Sequence, residues 1–204
     1  MMKEFNIVLA GVGGQGTLLA AEILGTAAVM EGLNVRVSEI HGMSQRGGAV
    51  TSDVRIGDNV LASTVAERRA DVLLGFEPLE TLRNLKYASD KTLVIMSNEK
   101  IPPPELAVKK QAYPSMDDVV EKIRLFTKKL IVVEAAKLAK QAGNSLTQNV
   151  VLIGALAATK TLRIKDETLI KALRELVPAK HSDVNTKAFK LGYEYVKQQG
   201  SKAL

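Results

Sequence analysis

Two glycine-rich stretches contain the residues whose types and spacing could do chemistry. The first is Gly11-Val12-Gly13-Gly14-Gln15-Gly16, between an apolar run and a helical pattern. The second is His41-Gly42-Met43-Ser44-Gln45-Arg46-Gly47-Gly48, which follows the next apolar run. Glycines let a backbone approach a ligand closely, and a helix N-terminus presents free N–H groups to an anion. We therefore predict a nucleotide or phosphate site where these stretches meet, at the carboxyl ends of adjacent strands.

Eight residues form the predicted ligand-binding set: Gly11, Gly13, Gly14, Gln15, Gly16, Arg46, Gly47 and Gly48. Three glycines of the first stretch have the spacing of a dinucleotide fingerprint, although a purely structural turn is the alternative. Arg46 would offer a guanidinium fork to phosphate or carboxylate, or would tie two loops together through their carbonyls. Glu39 lies roughly where a Rossmann fold has its ribose-binding acid, and fits equally well as a loop cap or as a partner of Arg46.

No catalytic constellation is evident in the chain. A Ser-His-Asp order and a pair of carboxylates are both missing, and Gly16 is followed by Thr17-Leu18 where a P-loop would have Lys-Ser/Thr. His41 could carry a proton, although a lone histidine at a strand end more often makes a structural hydrogen bond. We therefore predict no catalytic residue in this chain.

Composition restricts the partners. The chain has 28 Lys and Arg against 22 Asp and Glu, a net charge of +6, which favours anionic ligands or surfaces. These basic residues are dispersed, and the absence of Trp argues against a stacking platform for nucleic acid. With no cysteine and two histidines, the chain cannot itself ligate an iron–sulfur cluster through thiolates, and a metal site is not expected.

The apolar patterns predict one α/β domain over residues 1–204, with a mostly parallel but mixed sheet. The first unit is a Rossmann-like βαβ crossover, with a helix from about Gln15 to Met30. A β-hairpin then follows, with Val50–Ile56 and Val60–Ala62 as its strands. Three further strands are expected at 71–76, 92–96 and 130–132. Helices are expected at 77–88, 116–127, 133–142, 146–161, 166–177 and from 182 onward.

Other features bear on location and contacts. No run of about 18 apolar residues predicts a membrane span, and no targeting segment is recognisable, so we expect a cytoplasmic protein. The proline-containing segment 98–114 is predicted to be a surface loop or a flap. Asn149 lies in an otherwise apolar helix, and a buried amide needs hydrogen-bond partners. It would either reach a loop from the core or face a partner subunit.

The two glycine stretches together closely resemble those of the gamma subunits of 2-oxoacid:ferredoxin oxidoreductases, with the indolepyruvate enzymes as the most similar branch. The resemblance extends over nearly the whole chain, including Arg55, Gly57 and the helix at Asn149–Gly154. It implies a three-layer α/β/α fold and a role in a complex that oxidatively decarboxylates a 2-oxoacid with coenzyme A. The products are acyl-CoA, carbon dioxide and reduced ferredoxin.

The resemblance also assigns the cofactors and partners. Thiamine diphosphate and the iron–sulfur clusters are expected in a larger catalytic subunit, with ferredoxin served by the complex and the isolated chain inactive. The glycine stretches would line the interface that faces the active site and contact coenzyme A phosphates. The alternatives are the gamma subunit of a pyruvate or 2-oxoglutarate enzyme, a free-standing NAD-type dehydrogenase, and a nucleic-acid binder.

Overall fold

A computed structural model describes residues 4–41, 47–103 and 112–202. Six strands form one sheet: β1 (Phe5–Val12), β2 (Val35–His41), β3 (Ala49–Ile56), β4 (Val72–Gly75), β5 (Leu93–Ser97) and β6 (Leu130–Val133). The helices are α1 (Thr17–Met30), α2 (Pro78–Arg83), α3 (Met116–Arg124), α4 (Ala135–Ala142), α5 (Gln148–Ala158), α6 (Asp166–Leu176) and α7 (Ser182–Lys202). Short 3-10 turns occur at Leu85–Tyr87, Ser145–Thr147 and Ala179–His181.

The strand order is β2-β3-β1-β4-β5-β6, and β3 is antiparallel to both of its neighbours. The remaining pairs, β1-β4, β4-β5 and β5-β6, are parallel. This arrangement confirms the predicted mixed, mostly parallel sheet. β1, α1 and β2 therefore form a crossover unit, and β3 lies between its two strands.

The expected hairpin is wrong in its second strand. Residues 60–62 have no strand structure, and β3 instead forms its hairpin with β2. Both edges of β3 are taken, one by β1 and one by β2, so no edge is left for a further strand. The Arg55 guanidinium instead holds the following segment by donating to the carbonyls of Ala62, at 2.8 Å, and Thr64, at 3.1 Å.

Strand side chains alternate between two helical layers, because successive residues of a strand point to opposite faces. Ile7 and Leu9 of β1 lie in a core cluster with residues of α1 and of α4 to α7. Val8 and Ala10 lie in a second cluster, with residues of α3 and of the segments around α2. The domain thus has three layers, α/β/α, as predicted. No helix in the described ranges has the length and apolarity needed to cross a bilayer.

Candidate functional site

The loop between β1 and α1 has a conformation that requires glycine at two positions, and one glutamine side chain holds it in place. Gly14 and Gly16 have φ angles of 101° and 74°, in a backbone region that residues other than glycine rarely adopt. The Gln15 side chain turns inward, where its Oε1 accepts from Val12 N at 2.8 Å and its Nε2 donates to Phe76 O at 2.9 Å. Gln15 therefore ties the loop to the end of β1 and to the residue that follows β4.

Asn149, in the first turn of α5, fixes the other end of this loop. The residue is 3% exposed, and its Nδ2 donates to Gly16 O at 3.2 Å. A Cβ atom at position 16 would lie 2.6 Å from that Nδ2, so only glycine fits there. The prediction that Asn149 reaches a loop from the core is confirmed. The contact also brings the N-terminus of α5 to the N-terminus of α1.

The second glycine stretch meets the first, although the strands that precede the two stretches are not adjacent. Gly13 N donates to Gly48 O at 2.8 Å, and Gly47 N donates to Gly13 O at 3.5 Å. The contact arises because Gly47 and Gly48 lead into β3, the strand that separates β1 from β2. Arg46 lies outside the described residues, so its role as an anion ligand stays a prediction.

Two cavities lie on either side of the β1-α1 loop and share Val12, Gly13 and Gly14. One, of about 380 Å³, is also lined by Gln15, Gly47, Phe76, Glu99, Ile101, Ser145, Leu146, Gln148 and Leu152. The other, of about 410 Å³, is also lined by Gly16, Thr17, Leu18, Leu19, Glu22, Glu39 and Val50. Five of the eight predicted residues line a cavity, namely Gly13, Gly14, Gln15, Gly16 and Gly47. Gly48 is next to both cavities through its hydrogen bond with Gly13.

Gly11 has a packing position beneath the loop. A Cβ atom there would come within 2.8 Å of Thr17 Oγ1 and 2.9 Å of Phe76 Cβ. The smallest residue is therefore required for the loop to close onto β4. Whether Gly11 contacts a ligand stays a prediction.

The potential at the loop suits an anion. Within the described chain, neither α1 nor α5 has a side-chain N-cap bond or an acidic residue in its first turn. The first N–H groups of a helix have no intrahelical acceptor and carry the positive end of the helix dipole. Because α5 continues from the 3-10 turn Ser145–Thr147, where Asn144 Oδ1 accepts from Leu146 N at 2.9 Å, the uncapped N–H groups at the loop are those of α1.

Two polar side chains that the sequence analysis missed point to a ligand. Thr17 is 3% exposed, and its Oγ1 has no hydrogen-bond partner among the described residues. Gln148 Oε1 is likewise buried and without such a partner. Thr17 could donate to an anion, and Gln148 could accept from an amide or hydroxyl. Their position in the sequence could have identified them. Thr17 is the first residue of α1, and Gln148 is the first residue of α5 and precedes Asn149, which bonds the loop.

A buried carboxylate holds the segment that forms one wall of the smaller cavity. Glu77 is fully buried and accepts from Glu80 N at 2.9 Å, from Ile101 N at 3.2 Å and from the Tyr113 hydroxyl in a short bond. Burial and this hydrogen bond raise the pKa of Tyr113 above its usual value. Residues 99 and 101 are thereby positioned beside the loop. The predicted flap at 98–114 is described only in part, since 104–111 lie outside the described ranges.

The remaining candidates, His41 and Glu39, lie in β2. His41 ends β2, and its side chain is not among those described. Glu39 lines the larger cavity together with Glu22 and Thr17, and the two carboxylates could accept hydrogen bonds from ligand hydroxyl groups. Among the described residues, no group of three or more His, Cys, Asp or Glu could hold a metal ion. The groups that the loop offers to a ligand are therefore backbone N–H groups and the side chains of Thr17 and Gln148.

Comparison with known proteins gives consistent matches over nearly the whole chain. The family model described as pyruvate ferredoxin/flavodoxin oxidoreductase matches residues 6–195. Indolepyruvate oxidoreductase subunit IorB of Pyrococcus horikoshii is 46% identical over 198 residues, which cover 97% of this chain and 98% of that protein. The family resemblance predicted from the glycine stretches is confirmed.

Solved structures confirm the fold. Pyruvate oxidoreductase subunit PORC of Thermotoga maritima matches with a TM-score of 0.73 at 23% identity, covering 95% of this chain and 97% of its own. The 2-oxoglutarate:ferredoxin oxidoreductase of Magnetococcus marinus, solved with 2-oxoglutarate, coenzyme A and succinyl-CoA, matches with a TM-score of 0.74 at 18% identity. That match covers 97% of this chain and 32% of the longer one.

Proposed function

Because the chain belongs to the pyruvate ferredoxin/flavodoxin oxidoreductase family, we propose that it is the smaller subunit of an indolepyruvate:ferredoxin oxidoreductase. The 46% identity to an indolepyruvate oxidoreductase subunit, over almost the full length of both chains, supports this substrate class. The complex would convert an arylpyruvate and coenzyme A to an aryl-acyl-CoA and carbon dioxide, with two electrons passed to ferredoxin. Thiamine diphosphate and iron–sulfur clusters would belong to a larger subunit, since this chain has no cysteine.

We further propose that the β1-α1 loop holds the phosphates of coenzyme A. The observation that carries this assignment is the N-terminus of α1, which follows Gly16 and has no side-chain cap, beside the Thr17 hydroxyl, which has no partner among the described residues. Loop N–H groups and Thr17 would donate to phosphate oxygens, and Arg46 would add a guanidinium. Gln148 would accept from an amide N–H of the ligand. This chain would thus bind and orient the acyl acceptor for the larger subunit.

The subunit assignment is tested by anaerobic affinity purification of this chain from its native host. We expect a larger, brown, thiamine diphosphate-containing protein in the eluate, and coenzyme A-dependent dye reduction that is faster with indolepyruvate than with pyruvate or 2-oxoglutarate. A faster rate with either of the other acids would instead assign the complex to that substrate. A chain that elutes alone and colourless but with bound nucleotide would favour the free-standing dehydrogenase.

The coenzyme A site is tested in the assembled complex with Thr17→Val and Arg46→Ala. A hydrogen bond to a charged group contributes about 1.5–3 kcal/mol, so each change should raise the KM for coenzyme A by roughly 10-fold to 100-fold. Ser52→Ala is the matched control, because Ser52 Oγ is also buried and without a partner among the described residues but lines neither cavity. An unchanged KM in both site variants would exclude this role for the loop.

A further inference from the structure

Large apolar side chains are exposed around the strand at one edge of the sheet. Ile40 of β2 is 55% exposed and Val37 is 43% exposed, and Leu18 at the start of α1 is 49% exposed. Leu61, in the segment after β3, is 89% exposed. That segment lies against β2, because the Ser38 hydroxyl donates to Ser63 O at 3.1 Å. We call these four side chains and the outer edge of β2 the edge surface.

The edge surface has apolar groups on both faces of the strand. Val37 packs toward α1, since its Cγ2 lies 3.1 Å from where a Cβ of Gly25 would be. Ile40 is on the opposite face, which it shares with Ser38. In the described chain β2 is bonded along one side only, to β3. The edge has no proline, and its charged residues Arg36 and Glu39 alternate with apolar ones, so it is only partly protected against pairing with another chain.

A second copy of this chain is a poor match for the edge surface. Two identical strands that extend a sheet across a two-fold axis pair residues equally spaced about a central residue. A centre at Ser38 places Glu39 opposite Val37 and Arg36 opposite Ile40, and a centre at Val37 places Glu39 opposite Val35. Arg36 and Glu39 are three positions apart, so no such register pairs them. Each arrangement leaves charges facing apolar side chains.

The edge surface is instead continuous with the coenzyme A site. Leu18 lines the 410 Å³ cavity together with Gly13, Gly14 and Glu39, and Glu39 belongs to β2 itself. A chain seated on β2 would therefore also cover that cavity and exclude water from it. We propose that the edge surface is where the larger catalytic subunit docks. This inference rests on the proposed function, which requires the larger subunit to face the bound coenzyme A.

Charge insertion tests the docking surface without disturbing the core. The variants are Ile40→Lys and Leu61→Lys, and the control is Leu125→Lys, at a leucine that is 83% exposed and lies between α3 and β6, the strand at the opposite edge of the sheet. The affinity of each for the purified larger subunit is measured, with the thermal midpoint of each variant as a check on folding. We expect at least tenfold weaker binding for the two edge variants and unchanged binding for the control.

The outcomes separate this inference from the proposed function. If the wild-type chain binds no larger subunit, the proposed function fails. If it binds and folded edge variants bind as tightly as wild type, only the docking surface is overturned. If the isolated chain sediments as a dimer that Ile40→Lys dissociates without weakening the complex, the occupant is a second copy and the proposal is again overturned. Leu61→Lys keeps the test valid should Ile40→Lys fail to fold.

Discussion

At the residue scale, the side chains that hold the loop differ from those left to bind a ligand. Gln15 uses its amide on Val12 and Phe76, and Asn149 donates to Gly16. Thr17 and Gln148 have polar atoms without partners among the described residues. Because an unpaired buried polar atom costs free energy, one that lines a cavity would be stabilised by a ligand that bonds it. Gln15 and Asn149 therefore hold the loop in one conformation, and the polar atoms of Thr17 and Gln148 remain available to a ligand.

Tyr113 offers a prediction that depends on pH. Tyr113→Phe removes a bond to the buried Glu77 carboxylate and leaves Leu79 N without its acceptor, so we expect a loss of about 1–3 kcal/mol in the free energy of unfolding at neutral pH. The measurement is urea unfolding. Tyr195→Phe, on α7, controls for removal of a tyrosine hydroxyl in general. Equal stability of Tyr113→Phe and wild type would show that the hydrogen bonds of Tyr113 with Glu77 and Leu79 N do not stabilise the fold.

The sign of the pH effect follows from the raised pKa of Tyr113. An unfolded tyrosine ionises near its usual value of 10.0, whereas the folded chain keeps the proton to higher pH. Deprotonation therefore favours the unfolded state, and this contribution to stability is present below pH 10 and is lost as pH rises through the folded pKa. Above pH 10 the wild type should lose stability more steeply than Tyr113→Phe.

At the scale of elements, the position of α5 depends on its crossing with α7. A Cβ at Gly192 would lie 1.9 Å from Val151 O, and one at Gly154 would lie 2.0 Å from Phe189 O. The two helices thus touch backbone to backbone. This close packing holds the α5 N-terminus, and with it Gln148 and Asn149, against the glycine loop.

Two glycine-to-alanine changes in helices should differ in their effect on stability, because only one of these glycines lies at the crossing. Gly192→Ala forces α7 away from α5 and should destabilise the protein by about 3 kcal/mol. Gly25→Ala, in α1, would meet only the end of the Val37 side chain at 3.1 Å, and should be neutral or stabilising by roughly 0.5–1 kcal/mol through helix propensity. Chemical denaturation of both variants checks this, and similar midpoints would argue against the close crossing.

At the scale of the whole molecule, folding and activity should separate. Core clusters occupy both faces of the sheet, so the chain has the buried apolar area of an independent domain. We expect the isolated chain to unfold cooperatively and to show no indolepyruvate-dependent dye reduction, with activity restored when the larger subunit is added. Turnover by the isolated chain would contradict a division of labour between two subunits.

The sequence by itself determined the family, the position of the glycine loop and the local elements other than the strand predicted at 60–62. Apolar periodicity is a local signal that indicates strands and helices. The Gly11 to Gly16 spacing is a local signal that indicates a turn followed by the start of a helix. Only the tertiary structure decided that β3 lies between β1 and β2 and that Gln15 turns inward. It also placed Gln148 at the cavity of about 380 Å³ and Thr17 at the cavity of about 410 Å³. Those outcomes depend on which sheet edges are free and on contacts between residues more than 100 positions apart, such as Gly16 and Asn149, which no local pattern encodes.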